Sequence, residues 1–376
     1  MTACDFLIVG GGIAGASIGA ELAAHASVTI VEQESAAGYH TSGRSAAMYI
    51  LSYGDPAVRR LTAASRDFFH APPPGFADYP LLTPRGCLTI ARAEQKGELA
   101  ALAASLEALG ASFDTLDSDQ ARKLVPPLHA EAAAAALYEP ESFDIDVGAL
   151  HQGYLRLARA RGASLRLDAG VSALEARPGG GWRAQLADGE SLEASVVVNA
   201  AGAWADTLAA LAGAAPKGLT PKRRTAILID PPQGVAIDAW PNVIDVAEQF
   251  YFKPQSGLIL ASPADETPSP PLDAAPEELD IAICVERIQA AADIPVRRVA
   301  RAWAGLRTFA PDLTPVIGYD PHTDGFFWCA GQGGYGMQTA PAAARLGAAL
   351  ALMQDVPADL AGHGVKAADY SPARFG

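Results

Sequence analysis

Gly10-Gly11-Gly12-Ile13-Ala14-Gly15 fits the G-x-G-x-x-G spacing and follows a short run of β-branched and aromatic residues at 6–9. A turn of this kind cradles a pyrophosphate. Gly10 permits the tight turn, Gly12 lets the backbone approach the phosphates, and Gly15 allows close packing of helix on strand. The helix that follows directs free N–H groups and a positive dipole end at the charge. Glu32 closes the next strand-like run, 28–31, and stands 20 residues after Gly12. A carboxylate there accepts hydrogen bonds from ribose hydroxyls and repels a 2′-phosphate. The pattern predicts an adenine dinucleotide, and by itself it fits NAD as well as FAD.

The elements that must hold these residues read as α/β. Residues 14–24 are helix-compatible between the strands at 6–9 and 28–31, which makes a βαβ unit. Helical spacing recurs at 95–109, 147–161, 200–212, 276–291 and 339–353. Strands are expected at 182–186 and 195–198 around the Asp188-Gly189 turn, and at 326–330 before a glycine loop. The Pro-rich stretch 263–276 has no periodicity and reads as a surface loop. With no internal repeat and no low-complexity linker, the two to three domains that 376 residues allow are expected to be interleaved.

Composition excludes several classes. A net charge of −14 repels phosphate backbones, so neither nucleic acid nor an acidic membrane surface is expected as a partner. Cys4, Cys87, Cys284 and Cys329 form no Cys-x-x-Cys pair, which argues against a disulfide framework and against a metal site, and for a reduced, cytoplasmic setting. The strand-like run from residue 5 leaves no room for a targeting segment, and the longest apolar stretches, 132–137 and 346–353, fall short of a span of ~18 residues. A pyridine-nucleotide disulfide reductase would need a cysteine pair and a second glycine motif, and neither is present.

After Glu32 the chain continues with Gly38-Tyr39-His40-Thr41-Ser42-Gly43-Arg44-Ser45-Ala46-Ala47 where an NAD enzyme would add another βα repeat. Later come Val196-Val197-Val198-Asn199-Ala200-Ala201-Gly202-Ala203-Trp204, Trp303-Ala304-Gly305-Leu306-Arg307, Pro315-Val316-Ile317-Gly318 and Gly331-Gln332-Gly333-Gly334-Tyr335-Gly336-Met337-Gln338. This set resembles the FAD-dependent D-amino-acid oxidase and sarcosine/glycine oxidase superfamily, and within it most closely the bacterial D-arginine dehydrogenases. The resemblance runs nearly end to end. It implies a mixed α/β (α+β) fold, with a Rossmann-type FAD domain in segments 1–84, 140–213 and 302–376. Segments 85–139 and 214–301 would build an antiparallel sheet over the flavin. FAD would be held without a covalent link, because no cysteine lies near Arg307-Thr308-Phe309. Besides the glycine motif with Ile13 and Ala14, the resemblance assigns Glu32, Gln33, Gly43, Arg44, Ser45, Ala46, Ala47, Val171, Ala200, Gly202 and Trp204 to the cofactor. It adds Arg307 and the run Gly333, Gly334, Tyr335, Gly336, Met337 and Gln338.

For the substrate, a bidentate guanidinium is the fitting clamp on an amino-acid carboxylate. Arg224 and Arg307 match the arginines that hold it in the resembling enzymes, and strand alternation turns Arg223 away from a pocket that admits Arg224. Tyr53 and Tyr251 match tyrosines lining that site, though packing alone also explains either. Gln338 and the glycine run match the loop beside the flavin ring. Two departures concern the side-chain end: Cys87 stands where those enzymes carry a carboxylate for a guanidinium, and Met48 where they carry a histidine. D-arginine should therefore be a poor substrate unless another acid, Asp144 or Glu139, reaches in. The expected reaction is oxidative deamination of neutral or apolar D-amino acids, with N-methyl or cyclic imino acids, or 2-hydroxy acids, as the alternative. Electrons would pass to a quinone or dye more readily than to oxygen, because Gly257-Leu258-Ile259 lacks the lysine of the oxidases in the matching strand.

Overall fold

A computed structural model describes residues 2–376, and two large sheets organise it. In the first, five strands run parallel in the order Ser164–Arg166, Val28–Val31, Thr2–Val9, Ser191–Asn199 and Phe326–Ala330. Their runs of Val, Ile, Leu and Phe are buried on both faces, which is what parallel pairing demands. Helices Ile13–Leu22, Val147–Ala160 and Gly336–Ala351 cover one face. The other carries helix Ala205–Leu211 and the meander Val171–Ala176 and Trp182–Leu186. All these helices and strands except Ser164–Arg166 and the meander edge overlap regions where periodicity or the resemblance places them.

The second sheet has eight strands from 87–139 and 220–309 and is antiparallel but for one pair, Asn242–Asp245 beside Cys87–Ala91. That parallel pair is where the two chain segments meet edge to edge, so the expected antiparallel sheet is a mixed one at its seam. Helix Glu278–Ala291 packs behind it over a core of Ile227, Phe252 and Ile288. A small third sheet, Met48–Tyr49, Leu82–Pro84 and Phe143–Ile145, ties the two together.

Two expectations shift. The helix expected over 200–212 is a single tight turn, Gly202–Trp204, followed by Ala205–Leu211, because Ala200 and Ala201 form the loop that passes against Gly10. Helix Pro56–His70 is not anticipated by the reading above. Asp55 caps it by accepting hydrogen bonds from the N–H groups of Ala57 and Val58, and Pro56 occupies its first turn, a start signal present in the sequence.

Candidate active site

Gly10 has φ 113°, and a Cβ there would lie 2.3 Å from the Ala200 carbonyl oxygen; at Gly15 it would lie 1.9 Å from that of Gly10. Only glycine lets the three backbones come this close. The turn is braced by side chains. Glu32 accepts from the Gly11 N–H at 2.8 Å, His151 Nε2 donates to the Gly11 carbonyl at 2.8 Å, and Ser42 Oγ accepts from Ile13 N–H at 2.9 Å. Burial holds the His151 pKa down, against the opposing pull of its Gly11 bond and of Glu32, so the ring is a neutral donor.

Above this turn runs a groove of two connected parts, about 880 and 890 Å³. The first is walled by Gly10, Glu32, Gln33, Val171 and Trp204, the second by Ile13, Ala14, Arg44, Ser45, Gly333 and Met337; Gly12, Thr41, Ser42, Ala200 and Gly202 belong to both. Its shape and donors suit a dinucleotide: a carboxylate at the adenosine end, bare backbone and a helix start in the middle, and arginines at the far end. Gly15, Gly43 and Tyr335 do not reach its wall. Gly43 closes its own loop through a hydrogen bond to the Gly38 carbonyl, and Tyr335 packs edge-on against Tyr53 with ring centres 4.9 Å apart.

The far end opens into an inner cavity of about 650 Å³. Strand register explains who enters it. Lys222 stands directly opposite Arg307 in the pairing of Thr220–Ile229 with Val299–Phe309, so Arg224, two residues on, shares Arg307's face and Arg223 does not. Arg224 and Arg307 both line the cavity. Arg307 donates to Tyr53 Oη at 2.9 Å. Burial opposes its charge, but the facing Tyr53, Tyr251 and Tyr335 oxygens outweigh this and raise its pKa, so it stays a cation. Arg224 is held from behind, donating from Nε to the Asp265 carbonyl at 2.9 Å and from Nη2 to Glu266 at 3.1 Å. Arg223 turns outward to Asp280, at 3.1 Å, and Glu277.

Tyr53, Tyr251, Met48, Ala46, Ala47 and Gln338 also border the cavity. The Gln338 amide is committed to protein: Oε1 accepts from Ile50 N–H at 3.3 Å and Nε2 donates to Thr62 at 2.9 Å, which pins the loop carrying Tyr53. Cys87 does not reach the wall. It is fully buried beside Met48, and Asn242, whose amide approaches its sulfur at 3.8 Å, faces the cavity instead. Burial also pushes the Cys87 thiol up, so it carries no thiolate. Neither Asp144 nor Glu139 reaches in: Asp144 pairs with Arg85 at 2.7 Å and with Lys253, and Glu139 accepts from Ser52. The one carboxylate among the lining residues is the exposed Glu248, at φ 53° in the turn before Tyr251, and nothing in the local sequence marks it. Asp265 and Glu266 were equally illegible, since they sit in the loop 263–276, which folds back onto the arginines. Ile259 is buried in the core and lies off the cavity. No group of residues able to hold a metal ion is present among the described residues.

A glycine-cradled groove on a doubly covered parallel sheet, ending under a second sheet that carries two inward arginines, defines a dinucleotide-dependent oxidoreductase. The profile of the DAO family, FAD dependent oxidoreductase, matches residues 5–350, and the chain belongs to that family. Its cofactor is FAD. A glycine oxidase of Geobacillus kaustophilus (strain HTA426) is 25% identical over 367 residues, 95% of each chain. The crystal structure of the glycine oxidase from that species superposes with TM-score 0.81, at 24% identity, over 97% of this chain and 99% of the other. An L-proline dehydrogenase from P. horikoshii superposes with TM-score 0.80, at 20% identity, over 100% and 98%. Mitochondrial dimethylglycine dehydrogenase of Rattus norvegicus is 26% identical over 241 residues, 59% of this chain, and the match spans 28% of that relative's length. No helix among the described residues is long and apolar enough to cross a membrane.

Proposed function

We propose that the enzyme oxidises the Cα–N bond of D-amino acids with neutral or apolar side chains, giving an imino acid that water converts to the 2-oxo acid and ammonium. The observation that carries this reading is the pair Arg224 and Arg307, two cations on one face of one strand pair at the end of the FAD groove. A planar guanidinium binds a carboxylate through two parallel N–H···O bonds and fixes its orientation as well as its position. Tyr53 Oη, already bonded to Arg307, lies beside that carboxylate. Tyr251 lines the same cavity, and Met48, Ile50, Ile244 and Phe250 offer the side chain an apolar surface. The substrate gives up an amine proton and the hydrogen at Cα with its electron pair. Bound FAD supplies the two-electron acceptor for that pair. Gly10, Gly12, Glu32, Arg44 and the Gly333–Met337 turn would hold it, and the acceptor that completes the cycle is proposed to be a quinone or dye.

A second reading keeps the same clamp for N-substituted amino acids or cyclic imino acids, because relatives in the family are named for dimethylglycine and proline. Anaerobic mixing of holoenzyme with both enantiomers of amino, N-methyl and 2-hydroxy acids separates the readings. Rapid flavin bleaching by D-alanine or D-valine and none by the L-forms is expected. Bleaching only by N-methyl or cyclic substrates would replace the first reading with the second, and bleaching only by L-amino acids would remove the D assignment.

A further inference from the structure

Beside the inner cavity lies a second one, about 770 Å³, which shares Ile50, Tyr53, Ile244 and Glu248 with it as a common wall. Its outer side is one face of helix Lys96–Ala108, where Glu98, Ala101, Leu102 and Ser105 recur at helical spacing, and its inner side carries Arg59 from helix Pro56–His70. Three of the four charged side chains here, Arg59, Glu98 and Glu248, make no hydrogen bond or ion pair among the described residues. The Arg59 guanidinium makes no hydrogen bond or ion pair among the described residues, and its Nε is buried without a partner. Of the acids whose charge reaches it, Glu139 takes the Ser52 hydroxyl, Asp55 caps the helix and accepts from Thr314 at 3.2 Å, and Glu248 makes no hydrogen bond or ion pair with it. Glu98 and Glu248 likewise have no side-chain partner, and both are exposed. Asp245, the remaining acid, is used by the backbone N–H groups of Ala247 and Gln249.

A cation left without a partner in a cavity wall, facing two free carboxylates at the mouth, is complementary to a zwitterion. We propose that this vestibule is a second amino-acid site, in which a zwitterionic amino acid rests with its carboxylate on Arg59 and its ammonium on Glu98 before entering the inner cavity. The inference builds on the reading of the inner cavity as an amino-acid-oxidising site. It differs from a structural role for Arg59, since a guanidinium that makes no hydrogen bond or ion pair acts on the fold only through its charge, and Arg59→Met should move the thermal midpoint little while removing one equivalent of bound ligand.

The test is equilibrium dialysis of radiolabelled D-alanine against anaerobic, dithionite-reduced holoenzyme, which binds the ligand without turning it over. Wild type should hold two D-alanines per chain, Arg59→Met one, Arg307→Met one, and the double variant none. Glu98→Gln, on an exposed helix face, should weaken one of the two sites at least fivefold and leave the other unchanged; it carries the test if Arg59→Met does not fold. One equivalent in wild type with the same amount on Arg59→Met overturns the vestibule alone. No binding by wild type overturns both the vestibule and the amino-acid reading beneath it.

Discussion

Arg307→Met isolates the clamp. The two arginines share a face but differ in what the protein already asks of them. Arg224 gives its Nε to the Asp265 carbonyl and an Nη2 bond to Glu266, whereas Arg307 gives a single bond, to Tyr53. Of a guanidinium's five donors, Arg307 therefore keeps about four for a ligand and Arg224 about three. Removing one partner of a desolvated, charge-assisted pair costs ~2–5 kcal/mol, and ~1.4 kcal/mol is tenfold, so kcat/KM should fall roughly 30- to 5,000-fold. The donor count places Arg307→Met in the upper part of that range, Arg224→Met in the lower part, and Arg223→Met near wild type, with lower stability from the loss of its bonds to Asp280 and Glu277. The assay is dye-coupled steady-state kinetics normalised to bound flavin, with thermal midpoints measured alongside. An Arg307→Met enzyme within about threefold of wild type, or equal losses at positions 223 and 224, would refute the register argument.

Acid or heat denaturation should release FAD from the precipitated chain; flavin that stays with the protein would show a covalent link. His151 is neutral in the fold because burial lowers its pKa, so below its unfolded pKa of ~6.5 the unfolded chain binds the extra proton, and stability is lost as pH falls from there toward the lower folded value. His151→Gln should flatten the fall in thermal midpoint between roughly pH 6.5 and 5, and an unchanged slope would put the acid sensitivity elsewhere. Neutral D-amino acids should outperform D-arginine in wild type. Glu248→Gln should lower whatever D-arginine activity exists by about tenfold while changing D-valine little, and a wild type that prefers D-arginine tenfold or more would make Glu248 the side-chain anchor. Reduced enzyme should be reoxidised by a quinone or dye faster than by oxygen; air reoxidation that sustains turnover with stoichiometric hydrogen peroxide would make it an oxidase.

What was legible in the sequence was local. The glycine turn, Glu32 and the flanking strand and helix are fixed by spacing, because each residue acts on backbone within one βαβ unit. Alternation admits only one of Arg223 and Arg224 to the pocket and the resemblance chose Arg224; the pairing of Lys222 with Arg307 is the register that realises that choice. The side-chain end of the cavity was not legible in the same way. Asn242, Ile244 and Glu248 come from one short strand and its turn and meet Met48 and Ile50 across nearly 200 residues of chain, and no periodicity records such a meeting. The position of Cys87 shows the cost of transferring a role by resemblance: it is paired directly with Asn242 on the neighbouring strand, and Asn242, not Cys87, lines the cavity. A carboxylate introduced at Cys87 would lie opposite Glu139 in the pairing with Ala135–Glu139, a like-charge contact in a buried sheet.

The two halves of the site belong to different sheets, and the distance between them decides whether Cα is presented to the cofactor correctly, since a misplacement of ~1 Å costs on the order of a hundredfold. That distance is not left to packing between the sheets. Thr41 Oγ1, in the cofactor loop, donates to the Leu306 carbonyl at 2.6 Å, next to Arg307. Arg44 donates to the Ala304 carbonyl at 3.1 Å and to that of Ala274 at 2.9 Å, and its own carbonyl accepts from the Trp303 indole N–H at 3.0 Å. The loop that borders the groove is thus sewn to the strand that carries Arg307, at Trp303, Ala304 and Leu306. Asp273 completes the seam by pairing with Arg44 and accepting from Tyr39 at 3.1 Å, which draws the 263–276 loop, already gripping Arg224 through Asp265 and Glu266, onto the same junction. Both arginines are therefore referenced to the cofactor loop rather than to their own sheet alone. On the proposed function, side-chain specificity can then vary at Met48, Ile50, Ile244 and Glu248 without moving the carboxylate, because none of those residues takes part in the seam.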